Sequence, residues 1–232
     1  MNDDSADDPS ANQLKSANQI DMAFDVAEKL IKEAEKTASI RLDLSGLGLP
    51  ALPKRLFKLR QLNSLLLANN RLSQISEDIG ALTALKWIDL SRNQLQALPV
   101  NFAQLTRLIM LNLNRNRFKA LPKALLALTQ LQTLLLNHNG LQTLPEEIQA
   151  LQNLRHLLIS HNALQSLPDG LTKLAALTKL HLDQNQLRLI SPQFAELKAL
   201  AVLQFQGNPL DDIPAVFDRF LVKTQLGEEQ PS

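Results

Sequence analysis

Apolar residues recur along this chain with a pattern that changes period and then starts again. The clearest copy runs Leu108, Leu111, Leu113, Asn116, Phe118, Leu121, Pro122, which generalises to L-x-x-L-x-L-x-x-N-x-L-x-x-L-P. Asn70, Asn93, Asn116, Asn139, Asn162, Asn185 and Asn208 follow one another at a spacing of 23 residues without a slip. One step further back the frame persists as Leu42, Leu44, Leu49, Leu52 and Pro53, with Leu47 where Asn belongs. Self-similarity at a fixed period of this length marks a stacked repeat, and an atypical first copy suits a unit with a neighbour on one side only.

Within each copy the L-x-L step alternates as a strand does, one residue in and the next out. After the Pro the leucines fall at three-residue spacing (Leu56, Leu59, Leu62; Leu125, Leu128, Leu131), which predicts a short helical or 3₁₀ segment. Pro at the start of that segment presets φ and loses no needed hydrogen bond. Two copies use Ser76 and Ser191 instead, residues able to cap the segment through a side-chain oxygen. One copy cannot bury its own leucines. Stacked copies can, with parallel strands about 4.8 Å apart. The Asn amide, at the exit of each strand, is placed to pair with backbone groups of flanking turns that burial would otherwise leave unpaired.

Composition agrees: 52 of the 232 residues are Leu, with no Cys, no Tyr and a single Trp. Without Cys there is no disulfide framework, thiolate metal site or thiol nucleophile. The net charge of +1 gives no bulk footprint for nucleic acid or an anionic membrane. The acidic start, MNDDSADDPSANQLKS, is unlike a signal peptide, and no apolar run is long enough to span a bilayer, so a cytoplasmic protein is expected.

These residues resemble the leucine-rich repeat family, with a 23-residue L-P unit similar to intracellular bacterial, plant and Ras-suppressor-like members. The resemblance implies an α/β solenoid: a curved right-handed horseshoe, its parallel sheet on the concave face, short helical or 3₁₀ segments on the convex face, and helical caps at both ends. It also implies a non-catalytic protein-binding module or scaffold, in signalling or, alternatively, as a secreted effector acting in a host cell. The opening, residues 27–34 and then 40–49, is similar to the start of the repeat module in bacterial Roco-type proteins. The GTPase of those proteins is not implied, since no G-x-x-x-x-G-K-[ST] is present.

The predicted organisation is a disordered acidic tail over 1–17, a capping helix over 18–38, eight repeats over 39–213, a C-terminal capping helix over 214–224 and a loose tail over 225–232. Ile20, Ala23, Phe24, Ala27, Leu30, Ile31 and Ala34 form the face expected to cover the first repeat. Val216, Phe217, Phe220 and Leu221 are the corresponding residues at the far end.

Outward strand positions are polar by default. Here Leu66, Trp87, Met110, Leu135 and Leu158 occupy them in successive copies, flanked by Asp89, Asn112, His156, Lys179 and His181. An apolar strip with an aromatic anchor and a polar rim has the make-up of an interface. These ten residues are the expected partner-binding site. The expected occupant is a protein; the chain itself is expected to be a monomer, with a homodimer through the concave face as the alternative. Neither membrane nor nucleic acid is an expected partner. Arg92, Arg115, Arg117, Lys119 and Lys123 form only a modest basic patch.

No cofactor or metal is expected. His138 and His161 are equivalent residues of neighbouring copies, but zinc wants three or four ligands and the next copy supplies Gln184. Ser160, His181 and Asp183 fall near one another on adjacent strands, yet an open sheet offers neither an oxyanion hole nor exclusion of water. The chain is not expected to be an enzyme.

Overall fold

The fold was obtained as a computed structural model, which describes residues 9–218 and 220, with side chains from residue 18 onward. Eight three-residue strands form one parallel sheet in sequence order. They are β1 (Arg41–Asp43), β2 (Ser64–Leu66), β3 (Trp87–Asp89), β4 (Met110–Asn112), β5 (Thr133–Leu135), β6 (His156–Leu158), β7 (Lys179–His181) and β8 (Val202–Gln204). Every adjacent pair is in the same register, residue n opposite residue n + 23, so each copy lays its strand squarely on the last. The return half of each of the first seven copies is a five-residue 3₁₀ helix, such as Lys123–Ala127. Most of these follow a Pro at the cap position, one residue ahead of the first helical residue. Ser76 and Ser191 cap theirs by accepting from Asp78 N–H and Gln193 N–H. A 3₁₀ turn is broader than a strand, so stacking at strand spacing bends the array with the sheet on the inside.

The core is one column of leucines from end to end. The middle residue of each strand, from Leu42 through Leu111 to Leu203, is buried, as are the 3₁₀ residues Leu56, Phe102, Leu125, Ile148, Leu171 and Phe194. Asparagines close the column. Asn116 Nδ2 donates to Leu90 O (2.9 Å) and Leu113 O (3.1 Å), while its Oδ1 accepts from Leu95 N–H (3.0 Å). The same three bonds recur at Asn70, Asn93, Asn139, Asn162, Asn185 and Asn208. Each amide therefore stitches its own turn to the preceding copy and satisfies carbonyls that would otherwise be orphaned.

A helix, α1, runs Pro9–Lys36. It is longer than expected: residues 9–17, assigned above to the disordered tail, are helical. Pro presets the first φ, and Ala, Gln, Leu and Lys then have strong helix propensity. Ala23, Ala27, Ile31 and Ala34 are buried against the first repeat, where small side chains let the helix approach closely. Phe24 is only partly buried, and Leu30, expected in the covering face, is 40% exposed because it lies beside the alanine stripe rather than on it. An ion pair between Glu35 and Arg55 pins the helix end to the first 3₁₀ segment. At the other end a 3₁₀ turn, Ala215–Phe217, brings Phe217 against Phe205 and Phe220, ring centroids 6.1 and 6.3 Å away. Val216, expected to help cover the last repeat, is exposed there. Residues 1–8 of the expected acidic tail, 221–224 of the expected C-terminal capping helix with Leu221, and the expected loose tail 225–232 lie outside the described residues.

Candidate functional site

Strands only three residues long present two side chains each to the outside, and the common register sorts these into rows. The first row reads Arg41, Ser64, Trp87, Met110, Thr133, His156, Lys179, Val202. The second reads Asp43, Leu66, Asp89, Asn112, Leu135, Leu158, His181, Gln204. All ten expected site residues thus share one face.

The apolar ones form a diagonal across it. Leu66 lies in the second row, Trp87 and Met110 in the first, Leu135 and Leu158 back in the second. A step from one row to the other on adjacent strands spans roughly 8 Å at Cα, within reach of side chains of this length. Trp87 is 43% exposed, and the other four are partly buried among their neighbours.

The flanking polar groups are tied together. Asp89 Oδ2 accepts from Asn112 Nδ2 (3.2 Å), and its Oδ1 accepts from Ser91 N–H (2.8 Å). Thr133 Oγ1 lies 3.3 Å from His156 Nδ1. These bonds fix the positions of Asp89, Asn112 and His156 on the face. His181 is half-buried beside Leu158, and its Nε2 has no hydrogen-bond partner among the described residues. Burial lowers its pKa most; Asp183 pulls it up, and Lys179 and His156 push it down. The fold therefore favours the neutral imidazole.

A third row, Ser45, Ala68, Ser91, Asn114, Asn137, Ser160, Asp183 and Gln206, borders the turn. Its side chains bond from copy to copy: Asn137 N–H donates to Asn114 Oδ1 (2.7 Å), and Ser160 N–H to Asn137 Oδ1 (2.8 Å). Ser160 Oγ donates to Asp183 Oδ2 at 3.1 Å. The hydroxyl is thus bound to the carboxylate with no imidazole between them, which is the wrong order for a catalytic triad.

A fourth row, the residue immediately before the ladder Asn, contains His138, His161 and Gln184; sequence reasoning missed its backbone conformation and its continuation through Arg115 and Arg92. Asn69, Arg92, Arg115, His138, His161 and Gln184 all have left-handed backbone, φ between +54° and +57°, with Gly46 and Gly207 in the equivalent places at the ends. The rings of His138 and His161 stack with centroids 4.1 Å apart and planes 9° from parallel. Lone pairs in stacked rings point side by side and do not converge on one ion. Among the described residues no three ligands gather as a metal site. Burial, then His161, then Arg115 hold the His138 pKa below its usual value.

The basic patch divides. Arg92 and Arg115 belong to the fourth row, whereas Arg117, Lys119 and Lys123 line a lateral groove of about 600 Å³ with Leu98, Val100 and Pro122.

The leucine-rich repeat family model matches residues 41–95, 60–118, 83–141, 129–187 and 152–210, together most of the chain. No curated protein matches it. Among solved structures it is similar to the leucine-rich repeat ectodomain of the Arabidopsis thaliana receptor kinase GASSHO1/SCHENGEN3, solved with CASPARIAN STRIP INTEGRITY FACTOR 2. That likeness has 32% identity and TM-score 0.70, and covers 78% of this chain and 23% of that one. TLR13, solved with ssRNA13, is 27% identical with TM-score 0.65 over 73% of this chain and 25% of its own. The leucine-rich repeat domain of the type III effector XopL shares the fold at 24% identity and TM-score 0.70, covering 86% of this chain and 79% of that one. The chain spans about a quarter of the length of the receptor ectodomain chains. Among the described residues no helix is long and apolar enough to cross a membrane. From the in-register ladder and the extent of the match, the chain belongs to the leucine-rich repeat family.

Proposed function

We propose that this chain is a non-catalytic module that holds a protein partner against the solvent-facing, concave side of its sheet, with Trp87 as the anchor. The observation that carries the reading is the diagonal Leu66–Trp87–Met110–Leu135–Leu158. It is an apolar strip on a surface where solvent would select polar residues, and it contains the only Trp of the protein. Asp89, Asn112, His156, Lys179 and His181 form the rim, which sets register and excludes water. Support comes from the GASSHO1/SCHENGEN3 ectodomain, solved in complex with CASPARIAN STRIP INTEGRITY FACTOR 2, and from the receptor RGFR1, solved with RGF2. In this reading the chain works as a scaffold or regulator of a signalling protein, in the cytoplasm, as a monomer and without cofactor or metal.

Affinity capture with wild type and Trp87→Ala side by side tests it. Trp87→Ala should lose the partner, weakening binding by about 2 kcal/mol, because truncating an interface anchor forfeits its desolvated contact. Its thermal unfolding should stay that of wild type, since the indole is not part of the core. If Trp87→Ala captures the same protein as well as wild type does, while Lys54→Ala on the opposite side does not, the face is assigned wrongly.

A further inference from the structure

The fourth row has a property its position does not require. Left-handed backbone is easy for Gly and tolerable for Asn, and the chain uses Gly46, Asn69 and Gly207 there. The four central copies instead carry Arg92, Arg115, His138 and His161. The conformation itself is obligatory, since the N–H of each donates to a carbonyl of the next copy: Arg92 to Asn114, Arg115 to Asn137, His138 to Ser160, His161 to Asp183. Two bulky cations and two imidazoles are thus held at strand spacing over roughly 15 Å. The two arginines occupy a backbone state that disfavours them, whereas histidine enters it more readily. Neither guanidinium has an ion pair among the described residues. Backbone strain kept together with unneutralised like charge points to use of the side chains.

We infer that Arg92, Arg115, His138 and His161 form an anion-docking stripe along the turn edge of the sheet, and that the partner is an acidic, amphipathic protein segment whose carboxylates lie on this stripe. The inference rests on the protein-binding reading above and names the chemistry of the partner. The stripe runs three residues further along the chain than Leu135 and Leu158, about 10 Å away. That is close to the diameter of a helix with its side chains. One segment can therefore place an apolar side on the diagonal and an acidic side on the stripe. A protein fits better than a nucleic acid: Asp89 and Asp183 flank the stripe, where discrete carboxylates can be spaced around them and a continuous polyphosphate cannot. The two imidazoles also stack on each other and offer no platform for a base. Charged groups facing His138 are Arg115 on one side and His161 on the other. A carboxylate above them favours the imidazolium, so docking should tighten as pH falls.

The test uses the full chain, a short fluorescent oligoglutamate and an oligouridylate of equal length, titrated at low salt between about pH 8 and about pH 6, across the histidine range. Oligoglutamate should bind, tighten on acidification, and lose roughly tenfold or more in affinity in Arg92→Asn/Arg115→Asn, about the effect of one good charged contact removed. Asn accepts left-handed backbone, as Asn69 does, so the variant's melting curve should match wild type. Failure to bind oligoglutamate, unchanged affinity in the double variant, no tightening on acidification, or tighter binding of oligouridylate would each overturn the inference. Oligoglutamate lacks apolar groups, so Trp87→Ala should bind it normally. The stripe can then fail while the Trp87 capture experiment succeeds, and the reverse.

Discussion

The imidazole of His138 lies flat on that of His161, centroids 4.1 Å apart. Burial disfavours the charged form of His138 most; a second charge on the stacked ring and Arg115 beside it add to the cost. Folding therefore opposes protonation here, as it does at half-buried His181, and both pKa values are lowered from the usual 6.5. A base whose folded pKa is depressed binds fewer protons folded than unfolded. Its contribution is present above pH 6.5 and is lost as pH falls below it. Urea midpoints should drop between neutral and mildly acidic pH, and the drop should shrink in His138→Gln. An equal or larger drop in that variant would show that the pair plays no part.

Asn116→Ala should destabilise by about 2 kcal/mol. It leaves the buried Leu95 N–H without its acceptor, while Leu90 O and Leu113 O keep one amide donor each, from Asn93 and Asn139, and an unmade buried hydrogen bond costs more than a made one contributes. The denaturant midpoint reads the loss. A change comparable to an exposed Asn→Ala substitution would mean water replaces the amide in the ladder.

Gly170 has no room for a methyl group. A Cβ there would lie 2.2 Å from the carbonyl oxygen of Glu146, because the Glu146 carboxylate caps this turn by accepting from Gly170 N–H (2.7 Å). Gly170→Ala should cost about 2 kcal/mol, as overpacking does elsewhere. Unchanged melting would mean that the two copies separate more readily than their packing implies.

His181→Leu should hold stability or raise it by up to about 1 kcal/mol. The substitution removes a buried nitrogen with no bonding partner among the described residues and extends the Leu135–Leu158 row. Comparison of midpoints at neutral pH checks the sign; a clear loss would place an unseen partner, such as a bound water, on Nε2.

Much of the architecture was legible because it is a matter of counting. A period of 23 with Asn in phase assigns strands, turns and the ladder, and counting back from each Asn separates buried leucines from outward residues. The ten candidate site residues could be placed on one face for that reason. The sign of φ before each Asn was not legible: Arg and Gln carry no local signal for left-handed backbone, His carries only a weak one, and the hydrogen bonds of stacked turns impose it. Nor was the cross-copy capping of Val100 N–H and Asn101 N–H by Glu77, which joins residues of different repeats.

The amino-acid sequence by itself determined the repeat, its length, the inward leucines and the identity of the outward rows, since each follows from short-range periodicity and from the need to bury apolar surface. Tertiary stacking decided which of those rows become neighbours, how the diagonal through Trp87 closes up, that Leu30 turns to solvent while Ala27 is covered, and that His138 meets His161. These depend on distances between copies, and such distances exist only once one copy lies on the next.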